Sequence, residues 1–536
     1  MKPSSFKCIL LAGTVGIAAQ CGGFATIGQG KRLLVTLAPG TNVGSPDAPL
    51  AVSVVDPTTF NIGVTAQLPD GTLDTSFNGY ANIIVQPGTV SDLNVRNVPF
   101  VNGVATFTPP GGQPTTTIPV PTVAAFGEAH IWADDLGYVP ADPNRTHPDG
   151  TPWPPECANG IDDNHNNLID YPADPGCYSS IDDTEDFGTY ASGASETLYF
   201  DLPRIALVRG YDPANNGNGN ATDFPSTQVD IKTGWVGGTT YDFNTVVIGL
   251  TSAGFYVEDL QNDLTNPPGY NGLYAYNFST PTDMRVCDRI QILSGEAADF
   301  YGFTELNYPT WQLEYWDPSV RSCLVPEATI LGVGDLTNDT RMWQVEATLG
   351  RILSLGPVSL QIAADFGPQD AVNVNGVWTF GPTQSNCDFD HSGKINYDDP
   401  NEAGCADACN GSSGAAPTDY QCSEYSQYAS QSNFLVIVTD SSTTPASTTR
   451  AQVNAAAANL FDPPSNRGQP MKAFTGLISY FSGGTQFTLN ARCDDDVVQV
   501  CTPGQAGDCG DQGAPLPSNQ ACVHARTQAE LNQHSQ

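Results

Sequence analysis

The side chains with the clearest chemistry lie in the stretch from Asp388 to Asp399. Its first, third, fifth, ninth and twelfth positions carry oxygen-bearing side chains, namely Asp388, Asp390, Ser392, Asn396 and Asp399. Gly393 stands at the sixth position, where the chain must turn sharply, and Lys394 follows with a backbone carbonyl to offer. Hard divalent cations bind through several oxygen ligands. The spacing therefore predicts a loop that binds calcium.

This ligand order resembles the calcium loop of the EF-hand. Asp399 stands where an EF-hand usually has Glu, and its shorter side chain makes weaker closure around the ion the expectation. Pro382 and Pro400 flank the stretch and do not favour helices. Because these flanks do not look helical, the stretch, which follows Cys387 and closes at Cys405, resembles an isolated dockerin-like loop and not a paired helix-loop-helix sensor.

A second stretch, between Cys157 and Cys177, follows the same spacing. Its predicted ligands are Asp162, Asn164, Asn166, the backbone carbonyl of Leu168, Asp170 and Asp174. Asn167 replaces the turn glycine, and Asn tolerates the left-handed conformation. The stretch resembles a Cys-bracketed calcium motif of secreted and lipoprotein chains in Gram-negative bacteria. The alternative is a set of Asx turns without a metal. In either loop the Ca²⁺ would be structural. Calcium sites of extracellular modules have dissociation constants of about 10⁻⁴–10⁻³ M, so an external millimolar pool would keep them largely loaded.

The first residues have the pattern of an export signal. Lys2 and Lys7 precede a short apolar run from Ile9 to Ala19, which is too short to cross a bilayer. Cys21 follows in a context that resembles a bacterial lipobox, and the resemblance implies a lipid anchor in the outer membrane or at the cell surface. Ordinary signal cleavage with release is the alternative. Later segments lack the apolar length of a membrane span, so the expected membrane contact is the anchor alone.

Cysteine usage agrees with export to an oxidising compartment. The chain has 14 cysteines in local clusters, and their spacing does not match a zinc site. The disulfide candidates are Cys157, Cys177, Cys287, Cys323, Cys387, Cys405, Cys409, Cys422, Cys493, Cys501, Cys509 and Cys522, with their pairing left open.

Composition favours an all-β protein with several domains. The 536 residues carry a formal net charge of -37, which works against binding nucleic-acid phosphates. Val, Thr, Tyr and Phe recur in short alternating runs, as expected for strands. The stretch from Ala451 to Leu460 is the one with a helix-like pattern.

The N-terminal part resembles the immunoglobulin-like spacer domains of bacterial surface proteins. The predicted strands are Arg32–Leu37, Ala51–Val55, Phe60–Gln67, Asn78–Gln86, Val101–Thr108 and Val123–Asp134. Pro69 to Thr72 has the composition of a turn between two of them. A stalk that holds other modules away from the membrane is the main interpretation, and adhesion is the alternative.

An internal repeat follows. Gly295–Leu306 and Gly476–Phe487 share the pattern G-x₄-F-x-G-x-T-[EQ]-[LF], and each copy comes after an apolar strand ending in Asp, Gly254–Asp259 or Asn433–Asp440. The repeat resembles the OB-fold accessory domain found upstream of the catalytic domain in secreted bacterial nucleases. Only a Cys-rich tail follows here, so the nuclease domain itself is missing from the pattern.

Together these features predict an N-terminal immunoglobulin-like β-sandwich followed by two OB-like β-barrels. The predicted segments are a signal peptide (1–20), the anchor and sandwich (21–142), a linker with a calcium motif (143–197), OB-like domains at 198–345 and 346–500, the second with an inserted calcium loop (386–425), and a Cys-rich tail (501–536).

Aromatic residues in the first barrel raise the question of a ligand. Trp311, Tyr315 and Trp316 form a candidate platform for stacking on a sugar. The alternative is strand packing, since residues four apart share one face of a strand. Arg285, Arg289 and Arg321 could form a basic patch, which is thin for a nucleic acid.

The chain contains none of the common catalytic motifs, including G-x-S-x-G, H-E-x-x-H and the P-loop. The sequence therefore predicts a non-catalytic, calcium-binding envelope lipoprotein that acts as a scaffold or captures a surface protein or glycan. The alternative is an accessory protein that binds polysaccharide or extracellular DNA for a separate hydrolase.

Overall fold

The computed structural model describes residues 30–139, 153–211, 221–237, 240–260, 269–363, 371–374, 377–380, 432–461, 463, 466, 468–481, 486–499 and 522–534. Strands account for far more of these residues than helices. The export signal, Cys21 and the loop from Asp388 to Asp399 lie outside the described residues. So do Cys387, Cys405, Cys409, Cys422, Cys501 and Cys509.

The chain divides into two compact units, one up to Ala48 and from Pro57 to Tyr199, the other with Pro49–Asp56 and everything after Tyr199. The first unit contains strands β1 (Arg32–Leu37), β2 (Thr58–Gln67), β3 (Tyr80–Gln86), β4 (Thr89–Val90), β5 (Asn97–Val101), β6 (Val104–Ala105), β7 (Ile118–Val123), β8 (Glu128–Asp135), β9 (Gly193–Ala194) and β10 (Leu198–Tyr199).

Period-two alternation builds the core of the first unit. Strand β2 buries Phe60, Ile62, Val64 and Ala66 and leaves the residues between them partly or fully exposed. Strands β3 and β8 alternate in the same way. The strands follow the order β10-β8-β3-β5-β6-β2-β7-β4, with β1 paired to β2 and β9 to β8. The predicted strand Ala51–Val55 is wrong, since these residues form irregular structure and bends and belong to the second compact unit.

The second unit begins with helix α1 (Ile205–Val208). Its first strands are β11 (Thr227–Asp230), β12 (Gly234–Gly237), β13 (Thr240–Phe243), β14 (Thr245–Leu250), β15 (Gly254–Asp259), β16 (Gly272–Tyr276), β17 (Arg289–Phe300) and β18 (Phe303–Glu314). Strands β14 to β18 close on themselves in the order β14-β15-β16-β18-β17, because β17 pairs with both β14 and β18. Only the β16–β18 pair in this circuit is parallel.

A second circuit follows. The elements after β18 are β19 (Thr329–Ile330), α2 (Val333–Leu336), α3 (Asp339–Val345), β20 (Leu349–Leu353), β21 (Val358–Ile362), β22 (Ala371–Val374), β23 (Val377–Phe380), β24 (Asn433–Asp440), β25 (Ser447–Asn454), β26 (Pro470–Phe481), β27 (Gln486–Asn490), β28 (Val497–Gln499) and α4 (Gln528–His534). Strands β21, β24, β25, β27 and β26 close in that spatial order. The parallel pair is β25 and β27, the third and fifth strands of the circuit in chain order, as β16 and β18 are in the first circuit. The helix-like pattern from Ala451 to Leu460 is instead the end of β25 followed by turns.

The two circuits pack on each other within this unit. Val246, Ile248, Tyr256 and Tyr274 of the first circuit share a buried cluster with Leu477 of β26. Gly249 lies so close to Leu477 that a Cβ there would collide with its side chain. The sequence repeat occupies equivalent places, since its first copy spans β17 and β18 and its second copy spans β26 and β27. Among the described residues, no helix has the length and apolar character of a membrane span.

Candidate metal centre

A disulfide closes the first predicted calcium loop. Cys157 and Cys177 are bonded, with Cα atoms 5.6 Å apart, and both side chains are buried. Two further pairs, Cys287–Cys323 and Cys493–Cys522, are also bonded, so six of the candidate cysteines now have partners. The first disulfide fixes both ends of a loop of twenty residues, which lowers the entropy cost of ordering its polar side chains.

The first half of the loop turns around Asp162. Its Oδ1 accepts from the backbone N–H of Asn166 at 3.0 Å, and its Oδ2 accepts from that of Asn167 at 2.8 Å. The Oδ1 of Asn164 also accepts from the Asn166 N–H, at 3.0 Å. Asn167 has a φ of 68°, as predicted for the residue in place of the turn glycine. The first, third and fifth ligand positions therefore lie in one tight turn.

Asp174 collects the side chains of that turn. It is 1% exposed, and its Oδ2 accepts from the Nδ2 of Asn164 at 3.1 Å and of Asn166 at 3.0 Å. Each amide carries an acceptor oxygen opposite its nitrogen. If the side-chain amides of Asn164 and Asn166 rotated by about 180°, their Oδ1 atoms would lie beside the Asp174 carboxylate, in the places that their Nδ2 atoms occupy here. The chemistry of this donor set fits a hard cation.

Glu185 is a central residue that the loop spacing did not include, because it lies beyond Cys177. It is 1% exposed, and its Oε2 accepts from the N–H of Asp163 at 2.6 Å and of Asn164 at 3.3 Å. Its Oε1 accepts from the N–H of Asp170 at 3.1 Å. Its backbone carbonyl accepts from the Asn164 amide at 2.6 Å. One buried carboxylate thus organises three backbone amides of the loop.

The remaining predicted ligands have separate positions. Asp170 faces the base of the loop, where its carboxylate accepts from the N–H of Asn159 at 3.1 Å and of Gly160 at 2.8 Å. The Leu168 N–H donates to the Asn166 side chain at 2.7 Å, and among the described residues no donor reaches the Leu168 carbonyl. Asp170 therefore braces the backbone in this arrangement and stays a predicted ligand, while the Leu168 carbonyl stays available to a cation.

The loop concentrates negative charge. Asp162, Asp163, Asp170, Asp174 and Glu185 form no ion pair with a Lys or Arg among the described residues. Carboxylates this close repel one another unless a cation or hydrogen-bond donors offset the charge. In their present positions, the described side chains include no group of three or more His, Cys, Asp and Glu that could hold a metal ion. Backbone and amide donors fill that role in this arrangement.

Asp182 connects the two ends of the loop between Cys157 and Cys177 with the chain at Val139. It is fully buried, and its carboxylate accepts from the N–H groups of Val139 at 2.9 Å and Tyr178 at 3.1 Å. Its backbone carbonyl accepts from the Cys157 N–H. Burial raises the pKa of Asp182, and the three backbone N–H groups that donate to it, including that of Thr184, oppose the rise. The disulfide and this carboxylate therefore anchor the same end of the loop.

The predicted aromatic platform has a different character. Trp316 is 9% exposed and its Nε1 donates to the Arg321 carbonyl at 3.0 Å. The Arg526 guanidinium lies over the Tyr315 ring, with its Cζ 4.4 Å from the centre of that ring. Trp311 is half-buried, with its ring 5.1 Å from that of buried Phe255. All three rings make intramolecular contacts, and their use as a stacking platform stays a prediction.

Exposed aromatic rings lie elsewhere on the first circuit. Phe278 is 60% exposed and Tyr308 is 65% exposed, and their ring centres are 5.4 Å apart. Both residues have positive φ, 60° and 51°, which is rare for bulky side chains. This pair is the more accessible stacking surface, and the strand pattern gave no sign of it because Phe278 follows the end of β16.

Comparison with protein-family models, with curated proteins and with solved structures finds no match to this chain.

Proposed function

We propose that this chain is a non-catalytic, exported scaffold protein that calcium and disulfides stabilise. The observation that carries the proposal is the turn of Asp162, Asn164 and Asn166 closing on buried Asp174 within a disulfide-bounded loop. Asp162, Asn164, Asn166, Asp174 and the Leu168 carbonyl would hold the ion. Calcium would supply positive charge where the described residues offer no basic partner, and the second loop from Asp388 to Asp399 would hold another ion.

For the fold, we infer an immunoglobulin-like sandwich and two OB-like barrels. Five strands close in each circuit of the second unit, and the parallel pairing of the third and fifth strands supports the OB-like assignment. The alternating burial of β2, β3 and β8 supports a sandwich in the first unit. Both barrels would then act as rigid bodies that display loops.

For the location, we infer export with a lipid anchor at Cys21, in the outer membrane or at the cell surface. Three disulfides among the described residues support an oxidising compartment. Substitution Cys21→Ala should move the protein from the membrane fraction to the soluble fraction of the envelope. Unchanged membrane association of this variant would argue against the anchor.

The calcium proposal is tested by equilibrium dialysis of the full chain against millimolar calcium. The expected result is two bound ions per chain, and one for the double variant Asp162→Asn, Asp174→Asn. Asp186→Asn is the matched control, since Asp186 is an exposed carboxylate in the same module. No bound calcium at millimolar supply, or the same loss in the control, would refute the role of the loop.

A second candidate function is the capture of a neutral surface polysaccharide, and the exposed pair Phe278 and Tyr308 favours it. Aromatic faces stack on sugar rings without needing positive charge. Nucleic acid is a poorer ligand because Arg285 and Arg321 are committed to ion pairs with Glu530 and Glu314. A glycan-array signal that Phe278→Ala abolishes and Trp311→Ala preserves would support this function.

A further inference from the structure

The second compact unit contains a polar cavity of about 230 Å³, whose lining includes no residue of the loop between Cys157 and Cys177. It lies between the end of β15, the start of β16, residues 326–329 and helix α3. Its charged and polar lining includes Glu258, Asp259, Asn271, Glu327, Arg341 and Thr348. The volume is below that of a drug-sized site, so the cavity suits a ligand of a few heavy atoms.

Most charges around this cavity already have partners. Arg204 donates to the Asp259 carboxylate from its Nε at 3.1 Å and its Nη2 at 2.9 Å. Arg341 lies 3.4 Å from the Asp335 carboxylate and donates to the Gln344 side chain at 3.3 Å. These contacts leave one buried carboxyl group of the lining without a cation.

That group is Glu258, which is 6% exposed. Its Oε1 accepts from the Asn271 Nδ2 at 2.9 Å, and its Oε2 has no hydrogen-bond partner among the described residues. A buried polar atom without a partner costs free energy of roughly 1–3 kcal/mol. This oxygen is itself closed off from the cavity surface, so the Glu258 side chain would have to turn its carboxyl group toward a bound ligand, whose donor would then remove that cost.

We infer that this cavity binds a small organic cation through a primary ammonium group, with Glu258 as its counter-ion. An ammonium offers three donors, which match the Glu258 carboxylate and neighbouring acceptors. Glu327 is exposed at the edge of the cavity and adds negative charge there. The net charge of -37 favours the approach of cations over anions.

Proton linkage gives this inference a signature. The pKa of Glu258 is raised to about 8, mainly by burial; the Asn271 hydrogen bond opposes the rise and the Asp259 carboxylate adds to it. Arg204 faces Asp259 rather than Glu258, and Glu327 and Arg341 are the other charges of the lining. At neutral pH Glu258 is thus mainly protonated, and a cation must displace that proton. The affinity should rise about tenfold per pH unit between roughly pH 6 and pH 8.

The test is calorimetric titration of the full chain with putrescine and with butane-1,4-diol, its uncharged analogue of similar size. Putrescine should bind with release of a proton, and the diol should bind at least tenfold more weakly. Glu258→Gln should lower putrescine affinity at least tenfold and remove the pH dependence. Glu296→Gln, on β17 and outside the cavity lining, should change neither.

Glu327→Gln, at the exposed edge, provides a second variant if Glu258→Gln does not fold, and it should weaken putrescine several-fold. Equal binding of the diol would assign the cavity to neutral polyols and overturn the inference. Absent putrescine binding, or full affinity in Glu258→Gln, would overturn it as well. The titrations are repeated in EGTA, so that a failure of the calcium loops is distinguished from a failure of this cavity.

Discussion

Glu185, which the ligand spacing did not include, accepts more backbone hydrogen bonds from the first loop through its carboxylate than any predicted ligand does. Its carboxylate accepts from three backbone N–H groups, and it is almost fully buried. We expect Glu185→Gln to destabilise the first unit by about 1.5–3 kcal/mol, the range for hydrogen bonds to a charged group. Hydrogen exchange should accelerate at the amides of Asp163, Asn164 and Asp170. Unchanged exchange there, with Asp186→Asn as the control, would contradict this role.

Arg209 and Glu346 form a fully buried ion pair in the second unit. Arg209 also donates from Nη1 to the carbonyls of Gly272 at 2.9 Å and Glu346 at 2.8 Å. Because a single substitution strands a buried charge, Arg209→Met should cost about 3–5 kcal/mol in unfolding free energy.

The double variant Arg209→Met, Glu346→Leu is the control for this pair. It should recover much of the lost stability, since two apolar residues of similar volume leave no stranded charge. Urea denaturation measures both variants. A double variant as unstable as Arg209→Met alone would show that the carbonyl contacts, rather than the ion pair, dominate.

At the scale of elements, Asp74 joins the start of β1 to later segments of the first unit. Its carboxylate accepts from Lys31 at 2.9 Å, the Tyr190 hydroxyl at 2.6 Å and the Ser76 N–H at 3.0 Å. The hydrogen bonds from Ser76, Tyr190 and Lys31 hold the pKa of Asp74 well below its usual range.

A lowered carboxyl pKa gives stability that is full above the unfolded-state pKa of about 3.9 and is lost as pH falls through the folded-state value. Acid unfolding of the first unit should therefore begin at higher pH in Asp74→Asn than in the wild type. Asp70→Asn is the control, because among the described residues the Asp70 carboxylate accepts hydrogen bonds from Thr72 alone, two residues away. Identical acid transitions in both variants would count against Asp74 as a link between these elements.

Side chains of Arg526 and Glu530, here called the C-terminal clasp, hold residues 522–534 to the first circuit. Arg526 pairs with buried Asp288 and lies over the Tyr315 ring, and Glu530 pairs with Arg285 at 2.7 Å. Arg526→Ala should release residues 522–534 to proteolysis, because it removes the pair with Asp288 and the contact with the Tyr315 ring. The Cys493–Cys522 disulfide still tethers the segment at its start. Limited proteolysis read by mass spectrometry tests this. Protection equal to that of the wild type would mean that the clasp contributes little.

The same elements show what the sequence could predict. Strands Arg32–Leu37, Gly254–Asp259 and Asn433–Asp440 have the predicted bounds, because dense apolar residues with turn signals define short strands. The predicted strand Val123–Asp134 began too early, because β8 starts at Glu128 and residues 124–127, which separate it from β7, are apolar or Gly and give no polar turn signal. Ala51–Val55 failed because apolar composition alone does not provide a pairing partner.

Within the site, spacing predicted the turn around Asp162 and the left-handed Asn167. It could not predict Glu185, whose role depends on how the chain folds back after Cys177. It also could not distinguish Asp170 as a brace from Asp170 as a ligand, since both uses need an oxygen at that position.

At the scale of the whole molecule, cross-links rather than long helices stabilise the β-rich units. Disulfides close one loop of the first unit and two segments of the second. Calcium would act as a further cross-link, and the two circuits of the second unit pack through Leu477 and its neighbours. Such a design suits a rigid display protein in an environment that is oxidising and rich in calcium.

Thermal and urea unfolding with and without calcium tests this central claim most directly. For dissociation constants of about 10⁻⁴–10⁻³ M, calcium at roughly 10 mM should stabilise each loaded loop by about 1.4–2.7 kcal/mol. The account predicts that EGTA removes this gain and that Asp174→Asn reduces it, while Asp186→Asn leaves it unchanged. Unfolding that is the same in calcium and in EGTA would contradict the account.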